Sequence, residues 1–128
     1  MATVLLVYDE ARGNPLLCRL LEQVGHQCVG VYTGEAALRI LQIQGPPDLI
    51  LLDFMTPDID GLEVLRRIRA ERATAGPPVI MFSEIADPNF RRYVMSRGAN
   101  DYWIKGAMDL TRLIEMISRH ALPFRGVT

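Results

Sequence analysis

The sequence predicts a doubly wound α/β sandwich with a five-stranded parallel sheet of order 2-1-3-4-5. Three observations predict it. Short apolar runs alternate with segments whose apolar residues recur at spacings of three and four, five of each. The runs Val4–Val7, Leu49–Leu52 and Val79–Phe82 are continuous and aliphatic, as strands buried on both faces must be. Each strand is followed by enough chain for a right-handed helical crossover, which leads to the flavodoxin-like order.

The elements follow in chain order. Strands are expected at Thr3–Tyr8, Gln27–Tyr32, Asp48–Asp53, Pro78–Phe82 and Asp101–Ile104, each bounded by turn residues. Leu16, Leu17, Leu20, Leu21 and Val24 mark the first helix, stopped by Gly25. Ala36, Ala37, Ile40, Leu41 and Ile43 mark the second, capped by Thr33 and ended by Gly45-Pro46-Pro47. Leu62, Val64, Leu65 and Ile68 mark the third, which ends before Gly76-Pro77-Pro78. A fourth, capped by Asp87 or its neighbour, runs through Met95 and stops at Gly98. Asp109 caps a fifth that carries Leu110, Leu113, Ile114 and Ile117. Residues 1–122 are thus expected to form one domain, and residues 123–128 a tail or the start of a linker.

Composition narrows the function classes. The chain has 128 residues, enough for one domain with a real core, and is 49% hydrophobic and 23% charged, which excludes disorder. A net charge of −1 argues against a protein that binds nucleic acid or membranes by bulk charge. No apolar run approaches the roughly 20 residues of a membrane helix. Cys18 and Cys28 form no C-x-x-C pair and lie in apolar surroundings, so they read as reduced core residues of a cytoplasmic protein.

In open parallel sheets, function collects at the carboxyl ends of the strands, beside the point where strand order reverses. The first strand ends Val7-Tyr8-Asp9-Glu10 and the third ends Leu52-Asp53, so Asp9 and Asp53 should converge, with Glu10 near. The fourth strand ends at Ser83, and the fifth just before Lys105, the only lysine in the chain. Taken singly, an Asp at a strand end is usually a cap, a Ser a turn residue and a Lys a solvated charge. Together they are a different object. Two carboxylates at about 4 Å repel by roughly 4 kcal/mol at an effective dielectric of about 20. A hard cation removes that repulsion, and Mg²⁺ suits one or two carboxylates because it keeps several waters. A cation, a lysine and a hydroxyl form a clamp for a phosphoryl group.

Four stretches carry a resemblance: Val-Leu-Leu-Val-Tyr-Asp-Glu; Pro-Asp-Leu-Ile-Leu-Leu-Asp-Phe-Met-Thr-Pro-Asp-Ile-Asp-Gly-Leu-Glu-Val-Leu; Pro-Pro-Val-Ile-Met-Phe-Ser; and Gly-Ala-Asn-Asp-Tyr-Trp-Ile-Lys. In order and spacing the chain, from residue 3 to about 121, resembles the response-regulator receiver domain of two-component signalling. The resemblance implies that Asp53 is the phosphoacceptor, loaded by a sensor histidine kinase, a phosphotransfer protein or a small acyl phosphate. It implies Mg²⁺ held by Asp9, Asp53 and the Met55 backbone carbonyl, with Glu10 as a further candidate. It gives Ser83 and Lys105 to the phosphoryl oxygens, and Ser83 with Tyr102 to a switch. Pro57 and Gly61 would shape the loop that turns the Met55 carbonyl inward.

Departures from the pattern are expected to tune the site. Tyr8 stands where the family usually has an acid. Glu84 stands where it has a small residue, and Gly106 where it has a proline with a cis peptide bond. Met55 and Ile85, two residues after Asp53 and Ser83, are apolar and offer attacking water no hydrogen bond, which implies slow self-dephosphorylation. Two function classes therefore stand side by side. One is a phosphorylation-dependent switch that is not a turnover enzyme. The other is a pseudo-receiver that binds partners without phosphate. Enzyme readings are weaker, because a haloacid-dehalogenase-like phosphatase needs an acid where Met55 stands. A flavodoxin needs a Thr/Ser/Gly-rich loop where Asp9-Glu10-Ala11-Arg12-Gly13-Asn14-Pro15 stands. Output is expected through the fourth helix, fifth strand and fifth helix, with Arg91, Arg92, Tyr93, Arg97, Tyr102, Arg112 and Arg119 beside Asp101, Asp109 and Glu115. Such a face fits a homodimer or protein partner rather than DNA or a membrane.

Overall fold

The aliphatic runs pair side by side as one parallel sheet in the computed structural model, which describes residues 2–8, 15–106 and 109–120. Strands β1 (Thr3–Val7), β2 (Gln27–Val31), β3 (Leu49–Asp53), β4 (Val79–Ser83) and β5 (Asp101–Ile104) alternate with helices α1 (Pro15–Gln23), α2 (Gly34–Gln44), α3 (Gly61–Ala70), α4 (Pro88–Ser96) and α5 (Leu110–His120). Their order across the sheet is β2-β1-β3-β4-β5, with every pairing parallel.

Strand alternation sorts the core into two layers. Leu5, Val7, Ile50, Leu52, Val79 and Met81 meet α2, α3 and α4 through Ala37, Leu41, Val64, Leu65, Ile68 and Val94. Val4, Leu6, Leu49, Leu51 and Ile80 meet α1 and α5 through Leu17, Leu21 and Ile117. All five residues of β3 are buried, as a central strand covered on both faces requires.

The caps follow the sequence closely. Thr33 accepts from the Ala36 N–H, Asp87 from the Asn89 N–H and Asp109 from the Arg112 N–H. Asp58, to which the sequence assigned no role, reaches from the β3–α3 loop to the N–H groups of Gly34 and Glu35. Burial pushes its pKa up, but these N–H donors outweigh that and hold it below the usual carboxylate range.

Helix α3 ends at Ala70, before Gly76 as expected, with five further residues between them. The following turns are held by Arg69, whose guanidinium donates to the carbonyls of Ala75, Pro77 and Gly98 and to Asn100 Oδ1. Several expectations need correction. Val24 and Ile43 are 56% and 71% exposed, so these apolar markers lie off the buried stripes. The expected reduced thiols are overturned: Cys18 and Cys28 form a disulfide. Helix α1 lies along β2, and the two Cα atoms stand 5.4 Å apart, inside the range a disulfide spans. The expected roles of Leu16 and Leu110, and of the segment 123–128, lie outside the described side chains and residues. Among the described residues no helix is long and apolar enough to cross a membrane.

Candidate phosphoacceptor site

The site begins with the last residue of β3. Asp53 is only 1% exposed, at the end of four buried aliphatic residues. Alternation puts its side chain on the α1/α5 side of the sheet, with Leu49 and Leu51. A buried carboxylate needs partners, and Asp53 has two kinds. Its Oδ1 accepts the Met55 N–H at 2.9 Å, which ties the first turn of the loop back to the carboxylate. Its Oδ2 accepts from Lys105 Nζ at 2.6 Å, a charge-assisted bond across 52 residues of chain.

The loop beyond Asp53 must double back at once, and Gly61 allows it. The Gly61 N–H donates to the Phe54 carbonyl at 2.8 Å. A Cβ at Gly61 would stand 2.8 Å from Phe54 Cα and 3.0 Å from the Asp53 carbonyl oxygen, so any side chain there would push the loop off the strand end. Met55, at the crest of this loop, is 62% exposed.

Ser83 ends β4 and is 1% exposed. Its neighbour Phe82 is level with Asp53 in the sheet, and Ser83 is level with Ile104. The Ser83 hydroxyl oxygen accepts the Ile85 N–H at 3.1 Å. Asp53 and Lys105 thus meet directly, while Ser83 stands at the end of the next strand with its oxygen turned to its own loop. Glu84 and Ile85 lie exposed on that loop. The peptide bond joining Lys105 to Gly106 is trans, and Gly106 takes φ +81°, a backbone region open to glycine.

Tyr8 is the clearest departure. The register carries it level with Asp53, where the resemblance would place an acid. Its side chain is 8% exposed, packed with Leu6 and Leu17 and edge-on against Tyr32, ring centroids 5.4 Å apart. Burial raises the phenol pKa above its usual value, and Tyr32 raises it further by charge and by hydrogen bond. Tyr8 is therefore a core aromatic at the mouth of the site. Asp9 and Glu10, expected to hold the cation, lie outside the described residues.

Tyr102 also differs from expectation. It was assigned to the output surface, but it is 4% exposed. Its hydroxyl donates to the Ile85 carbonyl at 2.5 Å. Its ring closes an edge-to-face series with Phe90 and Phe54, at centroid distances of 5.9 and 5.1 Å. The outer face keeps Arg91, Arg92, Tyr93, Arg97, Arg112, Arg119, Asp109 and Glu115 exposed and Asp101 half-buried. Asp101 accepts from Trp103 Nε1 at 2.9 Å, with Arg91 and His120 each 3.5 Å away.

Sequence reasoning missed two aromatics. Phe90 bridges Phe54 and Tyr102. Phe82 lies under Lys105, whose Nζ stands 5.3 Å from the ring centroid. For Phe82 the available signal was an aromatic ring in an otherwise non-aromatic strand; Phe90, on α4, carried none.

The donor chemistry suits a hard cation. It offers the buried Asp53 carboxylate at the start of the β3–α3 loop, and Mg²⁺ needs only one or two carboxylates from a protein. Among the described residues no group of three His, Cys, Asp or Glu side chains gathers into a closed metal cage.

Comparisons with known proteins agree with this geometry. A family model described as the response regulator receiver domain matches residues 4–118. The phosphate regulon transcriptional regulatory protein PhoB of Pseudomonas aeruginosa is 32% identical over 103 residues, covering 80% of this chain and 44% of that protein. The gliding motility regulatory protein of Myxococcus xanthus is 34% identical over 116 residues, covering 91% of this chain and 15% of that protein. The chain thus spans less than half the length of either relative. Among solved structures, a putative response regulator from Chloroflexus aurantiacus superposes with a TM-score of 0.82 at 26% identity, covering 94% of this chain and 97% of that one. The Mn(2+)-bound form of response regulator Rcp1 superposes with a TM-score of 0.77 at 26% identity, covering 98% of this chain and 96% of that one.

Proposed function

This chain belongs to the response-regulator receiver domain family, and from that premise we propose that it is a phosphorylation-dependent switch whose phosphoacceptor is Asp53. The observation that carries the reading is the buried Asp53 carboxylate with Lys105 Nζ 2.6 Å from Oδ2. A single lysine in the whole sequence sits where a transferred phosphoryl group would need a positive charge.

In this reading a carboxylate oxygen of Asp53 attacks the phosphorus of a phosphohistidine or a small acyl phosphate. The bond from phosphorus to the donor atom breaks, and an acyl phosphate forms on Asp53. Transfer of this kind asks the protein for alignment and charge neutralisation more than for covalent chemistry. Lys105 leaves the carboxylate for a phosphoryl oxygen, and the Ser83 hydroxyl, released from the Ile85 N–H, donates to another. Asp53, the Met55 carbonyl and Asp9, with Glu10 as a further candidate, would hold Mg²⁺. When bound, the cation neutralises charge on the phosphoryl oxygens. The exposed apolar side chains of Met55 and Ile85 give water no hydrogen-bond partner, which favours a long-lived phosphorylated state. The chain assists its own loading but turns nothing over. Its partners are a sensor histidine kinase or phosphotransfer protein and an output protein or second copy on the α4–β5–α5 face, with no direct role for nucleic acid or membrane. The PhoB relative is a transcriptional regulatory protein. Any such output lies with chain beyond the shared region. Its place is the cytoplasm, with its kinase, where the Cys18–Cys28 bridge is open to reduction.

The test is labelling with radioactive acetyl phosphate and Mg²⁺. Wild type should take up acid-stable, alkali-labile label, and Asp53→Asn should take up none. Equal label in both would move the acceptor elsewhere. A second reading, a receiver that signals without phosphate, is favoured by one observation: Tyr102 is already turned inward. Association through the output face that ignores phosphorylation altogether would support it.

A further inference from the structure

Phe82 stands beside both Asp53 and Lys105. It is the fourth residue of β4, level with Asp53 on one side and Trp103 on the other. By alternation its side chain lies on the α1/α5 side of the sheet, where Asp53 and Lys105 also point. Its ring is half-buried. Lys105 Nζ stands over that ring, 5.3 Å from the centroid, while also donating to Asp53 Oδ2 at 2.6 Å. The ammonium is thus held from two sides, by a carboxylate and by the negative face of an aromatic quadrupole.

Two features make a second hold necessary. The chain turns immediately after Lys105 through Gly106 at φ +81°, and glycine restrains the backbone less than any other residue. Lys105 and Gly106 also line an open pocket of about 190 Å³, together with Leu51, Phe82, Trp103, Ile104 and Leu113. A four-carbon stem beside such a space has room to swing, and its ammonium would drift from the carboxylate. The Phe82 ring fills one wall of this pocket and gives the ammonium a fixed seat. That seat persists when Asp53 becomes an acyl phosphate, because the ring carries no charge that phosphorylation would cancel.

We propose that Phe82 is a positioning residue for phosphoryl transfer: its ring face seats the Lys105 ammonium beside Asp53 and keeps it there as Lys105 passes from the carboxylate to the phosphoryl oxygen. This rests on the phosphoacceptor reading for its consequence, but not for its geometry. Phe82 touches neither phosphoryl group nor cation; it acts through Lys105.

The experiment varies the ring's electrostatics at constant shape. Phe82 is replaced by mono-, di- and trifluorinated phenylalanine, which weakens the negative ring face stepwise, and by Tyr and Leu. Two readouts are taken on each folded variant, with thermal unfolding as the check on structure. The first needs no phosphate. Because Lys105 is the only lysine, ¹⁵N-lysine labelling gives one side-chain ammonium signal. Its hydrogen exchange should quicken stepwise with fluorination, stay slow in Phe82→Tyr and be fastest in Phe82→Leu. The second is the initial rate of loading from acetyl phosphate. It should fall about threefold to tenfold across the fluorine series, in the range of a partly desolvated cation–π contact, and be retained in Phe82→Tyr. Exchange and loading that ignore fluorination, with only Phe82→Leu impaired, would show that the ring merely fills space and would overturn the proposal. A stepwise exchange series in a wild type that takes up no label would uphold the seat for Lys105 and defeat the phosphoacceptor reading instead.

Discussion

Tyr8 shows how one residue can belong to the core and to the site at once. By sequence it is a missing acid; in the structure it is a buried ring packed against Leu6, Leu17 and Tyr32. Restoring an acid by Tyr8→Asp therefore has two opposed effects. It adds a carboxylate for the cation, and fluorescence of the sole tryptophan, Trp103, should report tighter Mg²⁺ binding. It also removes a packed ring and puts a charge in its place, at a cost of about 3 kcal/mol or more. Thermal unfolding should show a large loss of stability in Tyr8→Asp and a small one in Tyr8→Phe, which keeps the ring. Equal stability in Tyr8→Asp and wild type would mean that the ring contributes little to the core. The places of Asp53 and Ser83 at strand ends, and of Lys105 just past β5, were legible because short runs bounded by turn residues locate those strands. Phe82 and Asp58 were not, because their partners, Lys105 and the N–H groups of Gly34 and Glu35, lie more than twenty residues away along the chain. Pairwise chemistry at that separation becomes visible only after folding.

At the scale of elements, the signals written locally were the ones the sequence disclosed. Thr33, Asp87 and Asp109 cap as expected because a cap is decided within three residues. The end of α3 was bounded only loosely, because the stretch after Ala70 carries no stop signal of its own until Gly76 and is ordered instead by Arg69, bonded to Ala75, Pro77, Gly98 and Asn100. The disulfide was missed for a related reason: the crossover sets α1 along β2, and no pattern within either element brings Cys18 to Cys28. Its effect belongs to this scale. The bridge closes a ten-residue span between helix and edge strand, and cross-linking so short a loop stabilises by about 2–3 kcal/mol through the unfolded chain. Denaturant unfolding with and without dithiothreitol should therefore differ by that amount in wild type. It should not differ at all in the Cys18→Ser, Cys28→Ser double variant. No difference in wild type would mean that the thiols are unpaired in solution.

For the whole molecule, the consequence lies in how the Asp53 end of the sheet is joined to the α4–β5–α5 face. The mechanism implied by the resemblance has phosphate draw the Ser83 hydroxyl toward the site, opening space into which Tyr102 turns. Here Tyr102 is already inside, its hydroxyl on the Ile85 carbonyl and its ring held by Phe90, which Phe54 holds in turn. Ile85 also bonds Ser83, through its N–H. One loop residue thus connects the Ser83 hydroxyl to the buried Tyr102 ring behind the α4–β5–α5 face. A two-state element whose favoured position is already occupied has less left to gain: a ligand can shift an equilibrium only by its differential affinity for the two states. Coupling between sites is typically about 1–3 kcal/mol, and this molecule should fall at the low end of that range. Sedimentation with and without a beryllium fluoride mimic should show association through the α4–β5–α5 face in both states, the mimic strengthening it by less than about tenfold. Tyr102→Phe, which keeps the ring and loses the bond to Ile85, should weaken association without the mimic and so widen the difference between the two states. A wild-type shift near a hundredfold, with Tyr102→Phe unchanged from wild type, would mean that the inward position of Tyr102 does not preset the output face.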